Sequence, residues 1–236
     1  SPSRPASRAP SGPSRAWPRC SRPGWCSGCG TGRAGQKAAA AEAISRQIAM
    51  APNAKITIDD GGNVTTGRTL TFKADCFLAA SCDYMWDGIY VNGTGSKVQF
   101  GENNEIRDAE NAVVSENGGI YEVFGYVNSV GNKFYDNHIC IKVKAYNGTH
   151  QSFIAGATLS TKNGLIAPRA GERTEKGIEI QDVKDINIGA AGDNMNLFKN
   201  MSIGIHDIKT TPINSTNTHN INNNKFEDIF FKTCKE

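Results

Sequence analysis

The sequence predicts an all-β fold, a right-handed parallel β-helix, for residues 53–236. Three observations support this prediction. A short asparagine motif recurs along the chain, a second motif follows it at a constant distance, and short stretches of alternating aliphatic residues lie between turns rich in glycine and asparagine. In a β-helix every turn of the chain repeats the same strands, and the inward side chains of one turn pack on those of the next.

The first motif is Asn-x-[Ile/Phe]-x-[Asp/Asn], and its four copies begin at Asn104, Asn132, Asn196 and Asn224. The spacings are 28, 64 and 28 residues, so the turn between Asn132 and Asn196 is expected to have lost its signature or to carry an insertion. We expect each asparagine to bond to its counterpart one turn away and to adopt the left-handed backbone of a tight turn. The Ile or Phe two residues later is expected to stack inside the helix.

The second motif is Gly-Ile-x-[Val/Ile] or a near relative, and it starts eight residues after the first at Ala112, Cys140 and Gly204. Its period-two alternation puts every second side chain on one face of a strand. The predicted inward residues are Ile89, Ile141, Ile178 and Ile205, and the predicted outward stack is Tyr90, Val114, Lys142, Glu179 and His206. The alternative, an asparagine-rich β-sandwich, gives no reason for the constant offset between two motifs.

The composition divides the chain near residue 50. Six of the nine prolines lie between Pro2 and Pro23, whereas all 22 asparagines lie after residue 52. Residues 1–50 carry a net charge of +7 and the remainder −4, so the positive balance of the whole chain does not indicate a nucleic-acid partner for the folded part.

The first 50 residues are predicted to stand apart from the β-helix. Residues 1–36 are rich in Ser, Pro, Arg and Gly and contain almost no aliphatic side chains, which predicts disorder. The alanine-rich residues 38–50 predict a short helix. The abrupt change in composition is also typical of two unrelated sequences joined together, so the interpretation that residues 1–50 are not native stays open.

The cysteines and histidines predict no metal site and no cofactor. Cys26 and Cys29 form a lone Cys-x-x-Cys pair without a second pair at ligand spacing, and the four histidines share no ligand spacing. Cys76 and Cys82 flank a short apolar run and are a candidate disulfide. Cys140 stands where other repeats have glycine and is expected to be a buried thiol. No run of about 18 apolar residues is present, so no membrane span is predicted.

Two segments carry a family resemblance. Residues 84–91 (YMWDGIYV), followed by residues 106–113 (IRDAENAV), resemble the right-handed β-helix repeat proteins exported by Bacteroidota, many of which resemble type IX secretion cargo. In that family a Cys-x-x-Met-Trp-x-Gly-Ile segment opens the helix, and residues 82–89 fit it. The resemblance implies a secreted or cell-surface location. The chain carries neither the signal peptide nor the sorting domain of that family, and we expect a fragment whose β-helix is truncated at its C-terminal end.

The resemblance implies a non-catalytic scaffold that serves in adhesion or binds polysaccharide or another surface polymer. The longest departure from the repeat lies between residues 144 and 176, and insertions in solenoids often form the binding face. Candidate ligand-binding residues are Tyr90 and Tyr146, which could stack on sugars, and Arg169 and Arg173, which could pair with acidic groups. The alternative for this segment is a structural excursion that covers the helix.

The alternative function is a carbohydrate-active enzyme, a polysaccharide lyase or hydrolase. A hydrolase needs two carboxylates about 5 to 10 Å apart, and a lyase needs clustered carboxylates with a basic side chain. The candidate catalytic residues are Glu179, Asp182, His206 and Asp207, on or beside the predicted outward stack. The alternative for this group is a set of solvated charges on an outer face.

Overall fold

The structure is a computed structural model that describes residues 47–59, 68–123, 131–144, 146–189, 194–210 and 218–230. Every strand pairing among these residues is parallel, and none of the described residues is helical. The all-β prediction is therefore confirmed, and the arrangement is compatible with a parallel β-helix. The segment predicted to be disordered, residues 1–36, lies outside the described residues.

The described residues form twenty short strands. In chain order these are β1 Gln47–Met50, β2 Lys55–Asp59, β3 Arg68–Phe72, β4 Phe77–Ala80, β5 Trp86–Asn92, β6 Ser96–Phe100, β7 Glu105–Arg107, β8 Ala109–Glu116, β9 Ile120–Val123, β10 Lys133–Tyr135, β11 Ile139–Val143, β12 Tyr146–Thr149, β13 Phe153–Ile154, β14 Thr158–Ser160, β15 Lys176–Gln181, β16 Val183–Ile188, β17 Asn196–Met201, β18 Ile203–Ile208, β19 Thr218–Ile221 and β20 Asn224–Ile229.

The strands form four sheets in which neighbours follow chain order. Sheet 1 contains β1, β4, β7, β10, β14, β17 and β20, and sheet 2 contains β2, β5, β8, β11, β15 and β18. Sheet 3 contains β3, β6, β9 and β13, and sheet 4 contains β12, β16 and β19. The chain thus passes from sheet 1 to sheet 2 to sheet 3 or 4 and back, and we call one such passage a repeat. The third side changes from sheet 3 to sheet 4 in the fourth repeat.

The core consists of rows of apolar side chains in register across successive repeats. In sheet 2 the row contains Ile56, Ile89, Val113, Ile141, Ile178 and Ile205. Its four central members are fully buried, which confirms the inward direction predicted for the isoleucines. Burying a side chain of this size stabilises the fold by about 1.5 to 3 kcal/mol.

The aromatic rings of sheets 1 and 3 also pack between repeats. Phe72 stacks on Phe100 with ring centroids 5.2 Å apart, and Phe198 stacks on Phe226 at 5.0 Å. The prediction that the third residue of the asparagine motif packs inside is confirmed for Ile106, Phe134 and Phe198, which are fully buried. Phe226, on the edge strand β20, keeps 48% of its surface exposed.

The asparagine motif connects repeats mainly through the backbone. Asn104 Oδ1 accepts the backbone N–H of Cys76 at 2.8 Å, and Asn132 Oδ1 accepts that of Asn104 at 2.9 Å. The predicted bond between two motif asparagine side chains occurs between Asn196 and Asn224, at 3.0 Å. The side-chain oxygen of the asparagine thus accepts a backbone N–H of the neighbouring repeat, a donor that the short strands leave without a backbone partner.

The left-handed backbone lies at the fifth position of the motif. Asp108, Asp136, Asn200 and Asp228 have φ between 51° and 63°. The asparagine at the first position was predicted to adopt this conformation, and that prediction is wrong. Asp108 and Asp136 directly follow β7 and β10, and Asn200 and Asp228 are the next-to-last residues of β17 and β20. Asp and Asn tolerate left-handed φ better than other non-glycine residues.

The repeat without a signature is the fifth, and both predicted explanations hold. Ala157 and Leu159 stand at the register positions that Asn132 and Phe134 occupy one repeat earlier. The same repeat carries an insertion, residues 161–175, between β14 and β15.

Two local predictions are corrected. Residues 47–50, the end of the predicted helix, form strand β1, because they pair in parallel with β4 and bury Met50 in the core; tertiary packing outweighs alanine's helix propensity.

The predicted Cys76–Cys82 disulfide is wrong. Cys76 is a buried thiol, and Cys82 is a disulfide cysteine whose partner is not Cys76. The four residues of strand β4 run between them and by themselves span roughly 13 Å, whereas the Cα atoms of a disulfide lie less than about 7 Å apart.

Candidate functional site

The insertion at residues 161–175, which we call the strap, begins at a buried carboxylate. Asp136 is fully buried, and its Oδ1 accepts the backbone N–H groups of Lys162 at 2.7 Å, Asn163 at 2.8 Å and Gly164 at 3.3 Å. Its Oδ2 binds the guanidinium of Arg107 at 2.8 Å. The charge of Asp136 is therefore balanced within the fold, and the start of the strap is fixed to the fourth repeat.

The tip of the strap reaches back to the second repeat. The carbonyl oxygen of Ala167 accepts the backbone N–H of Met85 at 2.7 Å, and Ala167 forms an isolated parallel bridge with Tyr84. At its base, the N–H of Thr174 donates to Thr161 Oγ1 at 2.8 Å. The strap thus crosses the first residues of sheet 2 over several repeats. The departure predicted at residues 144–176 is shorter, because residues 146–160 supply the regular strands β12 to β14.

A charged network joins the strap to sheet 2. Arg169 Nε donates to Glu110 on β8 at 3.0 Å, and Arg169 Nη1 lies 3.4 Å from Glu172. The two ring nitrogens of His138 face two carboxylates, Glu110 at 3.3 Å and Glu175 at 2.6 Å. A ring with a proton on each nitrogen would donate to both. His138 therefore links the outer face of sheet 2 to the end of the strap.

The network continues along the outward stack. Lys176 contacts Glu175 at 3.5 Å and also binds Glu179, while Lys142 binds Glu179 at 2.6 Å. Glu179 is 3% exposed, and burial by itself would raise the pKa of its carboxyl. The hydrogen bonds and charges of the two lysines outweigh that effect and lower the pKa, so Glu179 is ionised.

The four predicted catalytic residues do not surround one point. Glu179 and His206 are neighbours in register on the outer face of sheet 2. Asp182 binds the backbone N–H of Thr210 at 2.6 Å, and Asp207 binds His219 Nδ1 at 3.2 Å. Asp207 is in register with the buried Ile180, on the opposite face from Glu179. Within the described ranges, no three His, Cys, Asp or Glu side chains are placed to hold a metal ion.

The predicted ligand-binding residues all make contacts within the fold. The ammonium of Lys55 lies 4.6 Å from the centre of the Tyr90 ring. Tyr146 packs edge-on against His150 at 5.7 Å, and the guanidinium of Arg173 lies 4.2 Å from the centre of the Phe230 ring. Arg169 belongs to the charged network. Arg169 and Arg173 belong to the strap itself, and Tyr90 is in register with Val114, Lys142 and Glu179 on sheet 2.

A buried pair that sequence reasoning missed, Ser115 and His150, resembles a nucleophile with its base. Ser115 Oγ lies 2.9 Å from His150 Nε2, and the backbone N–H of Ser152 donates to His150 Nδ1 at 3.3 Å. Nδ1 is therefore an acceptor, and Nε2 carries the proton and donates to Ser115. The Ser115 hydroxyl donates to the carbonyl oxygen of Gly119 at 2.6 Å. In this state the histidine cannot take the serine proton, so the pair is structural.

The chain was compared with protein-family models, with curated proteins and with solved structures, and none of them matches. Across the part of the chain that the structure covers, no helix has the length and apolar character that a membrane crossing requires.

Proposed function

We propose that this chain is a non-catalytic right-handed parallel β-helix scaffold, secreted or displayed at a cell surface, which binds polysaccharide or another surface polymer. The parallel sheets with strands in chain order support the β-helix. The exported location follows from the motif resemblance at residues 82–91 and 106–113. The binding face in this proposal is the outer face of sheet 2 together with the strap.

The observation that carries the proposal is the charge state of the network. A glycosidase acid needs a raised pKa, so that it holds a proton near neutral pH. Burial by itself would raise the pKa of both Glu175 and Glu179, but Lys176 with His138 at the first and the two lysines at the second lower it, so both carboxylates are ionised.

Two basic residues of the network, Lys176 and Arg169, are equally unsuited to proton abstraction. A lyase base must lose its proton to act. Burial by itself would lower the pKa of Lys176, but its hydrogen bond to Glu179 and the nearby carboxylates raise it. The Arg169 pKa is likewise raised through Glu110 and Glu172 against the opposing effect of burial. The charge states of Glu175, Glu179, Lys176 and Arg169 therefore favour ion pairing over the proton transfers that the two enzyme mechanisms need.

The strap supports a binding role because it places side chains of both charges on an otherwise regular face. The start of the strap is fixed at Asp136 and its tip at Met85, so Arg169 and Glu172 are held in position before a ligand arrives. A preorganised site loses less conformational entropy on binding than a mobile one. Arg169 is 34% exposed and Lys142 is 24% exposed, so both can reach acidic groups of a polymer.

The test combines binding and turnover on the full chain. Affinity electrophoresis against a panel of neutral and acidic polysaccharides would detect binding, and an assay for reducing ends and unsaturated products would detect cleavage. We expect retardation by at least one polysaccharide without product, and weaker retardation for Arg169→Gln. Arg68→Gln on sheet 3, an exposed arginine away from the strap, is the matched control. Product formation that Glu179→Gln abolishes would establish the enzyme instead, and absence of both binding and product would reject the proposed ligand class.

A further inference from the structure

The buried Ser115–His150 pair lies where the third side of the repeat changes sheet. Strand β12 begins sheet 4 and strand β13 ends sheet 3, and His150 and Ser152 belong to the three residues between these strands. The N–H of His150 donates to the carbonyl oxygen of Asp185 on β16, and Ser152 Oγ accepts the N–H of Tyr121 on β9 at 3.0 Å. These residues therefore connect sheet 3 to sheet 4, and we call them the seam.

The hydrogen bonds of the seam require a neutral imidazole. One ring nitrogen accepts from Ser152 N–H, and the other donates to Ser115, whose own proton goes to the Gly119 carbonyl. A carbonyl oxygen has no proton to offer, so the direction of the chain of bonds is fixed. A second proton on His150 would place an N–H at Nδ1 against the N–H of Ser152, and that bond would be lost.

Among the residues that the structure describes, none offers an opposite charge to a protonated His150, and burial alone shifts its pKa. His150 is 2% exposed, and the titratable groups that face its ring are Tyr121 and Tyr146, with ring centres 6.2 and 5.7 Å away. The carboxylates on the adjacent strands are engaged elsewhere: Glu116 with Lys144, and Glu122 with Lys97. Asp185 meets His150 through its backbone carbonyl.

We propose that the seam is an acid-sensitive junction, in which protonation of His150 separates the end of sheet 3 from the start of sheet 4 while the rest of the stack stays paired. Loss of the Ser152 and Ser115 bonds would weaken the hold on β13, a two-residue edge strand that pairs with β9 in sheet 3. Of the residues that the His150 and Ser152 side chains bond to, Ser115 on β8 lies in sheet 2 and none lies in sheet 1.

The direction of the pH effect follows from linkage. Burial lowers the pKa of His150 from 6.5 to about 4. Between these two values the unfolded or opened chain binds more protons than the closed one, so stability is complete above pH 6.5 and declines as the pH falls toward 4. One proton changes the opening constant by up to about tenfold per pH unit in this window.

The experiment compares the wild-type chain with His150→Gln, whose amide can replace the donor at Nε2 but does not titrate. Amide exchange of Ser152 and Tyr121, corrected for intrinsic rates, would be measured between pH 6.5 and 4.5 against Ile141 in sheet 2. We expect the opening constant at Ser152 and Tyr121 to rise by roughly tenfold or more over this range in the wild type, with Ile141 unchanged and the variant flat. Equal pH dependence in both proteins would overturn the proposal.

A second measurement holds even where the variant fails to fold. A nuclear magnetic resonance titration of the assigned His150 ring in the wild-type chain gives its pKa directly. A value below 5 supports the acid-sensitive seam. A value of 6 or above would show that the closed seam tolerates the imidazolium form of His150, which contradicts the proposal.

Discussion

At the scale of single residues, the fold places its charged side chains in two settings. Glu179 lies between Lys142 and Lys176 on the outer face of sheet 2, and it is buried, so water is largely excluded from its carboxylate. Glu227 lies between Lys199 and Lys225 at the surface. The two glutamates have the same number of lysine partners, so a comparison between them isolates the effect of burial.

Glu179→Gln is expected to destabilise the chain by about 2 to 3 kcal/mol, because it leaves two neighbouring ammonium groups without their buried counter-charge. The free energy of unfolding in urea measures this loss. The wild-type fold should lose stability as the pH falls below 4.5, since a carboxyl with a lowered pKa stabilises the fold only while it is ionised. In Glu179→Gln this acid-dependent loss of stability should be smaller. Glu227→Gln is the matched control and should change stability little, as exposed ion pairs contribute little. Equal losses in the two variants would contradict the role assigned to burial.

At the scale of elements, the strap depends on one carboxylate. Asp136 has a left-handed backbone, and its two oxygens serve different partners: Oδ1 collects the first N–H groups of the strap, and Oδ2 binds Arg107. Three backbone donors around one oxygen form an anion-binding arrangement, here filled by a side chain of the same protein. The strap is therefore held by chemistry in the preceding repeat, not by its own hydrogen bonds alone.

Asp136→Asn is expected to loosen the strap, since Asn tolerates the same backbone conformation but cannot supply the charge that Arg107 and the strap amides share. We expect a stability loss of about 2 kcal/mol and faster tryptic cleavage after Arg169 and Arg173. Asp75→Asn is the control, because Asp75 also has left-handed φ but lies exposed. Unchanged cleavage in Asp136→Asn would mean that the strap is held without Asp136, through its tip contact between Ala167 and Met85.

At the scale of the whole molecule, the repeats are related but not interchangeable. A Cβ added at Gly177 would lie 2.6 Å from the Phe198 ring, and one added at Gly204 would lie 2.5 Å from the Phe226 ring. Each ring belongs to the following repeat. Cys140 occupies the position of Gly177 one repeat earlier. In the repeat that follows Cys140, Leu159 stands where Phe134 stands one repeat before it. Leu159 is smaller than the phenylalanines that follow Gly177 and Gly204, which leaves more room for the Cys140 side chain; Ala112, one repeat earlier, combines a Cβ with the following Phe134.

Leu159→Phe is therefore expected to cost about 1 to 3 kcal/mol through overpacking against Cys140. Combining it with Cys140→Gly should recover about 1 to 2 kcal/mol of this loss, which a double-mutant cycle in urea would measure. Cys140→Ala with Leu159→Phe is the comparison that separates the Sγ from the Cβ, because Ala112 and Phe134 already combine these residue types one repeat earlier. Additive effects of Leu159→Phe and Cys140→Gly would show that the two positions do not compete for space.

Part of the candidate site was within reach of the sequence. The outward direction of Lys142, Glu179 and His206 followed from the period of two, and Arg169 was found because it lies in the departure from the repeat. Glu110, His138 and Glu175 were missed, since each belongs to a different segment and no spacing relates them. The Ser115–His150 pair was missed for the same reason: 35 residues separate two partners that meet only through the stacking of repeats.

The sequence by itself determined the all-β class, the register of the two motifs and the position of the irregular repeat, because each of these depends on local periodicity that recurs along the chain. The tertiary structure alone decided that residues 47–50 form a strand, that Cys76 is not bonded to Cys82, and that the strap folds back over sheet 2. These features depend on which distant groups satisfy a backbone donor or a buried charge. Local pattern carries no information about such pairings, since their energy comes from contacts between repeats.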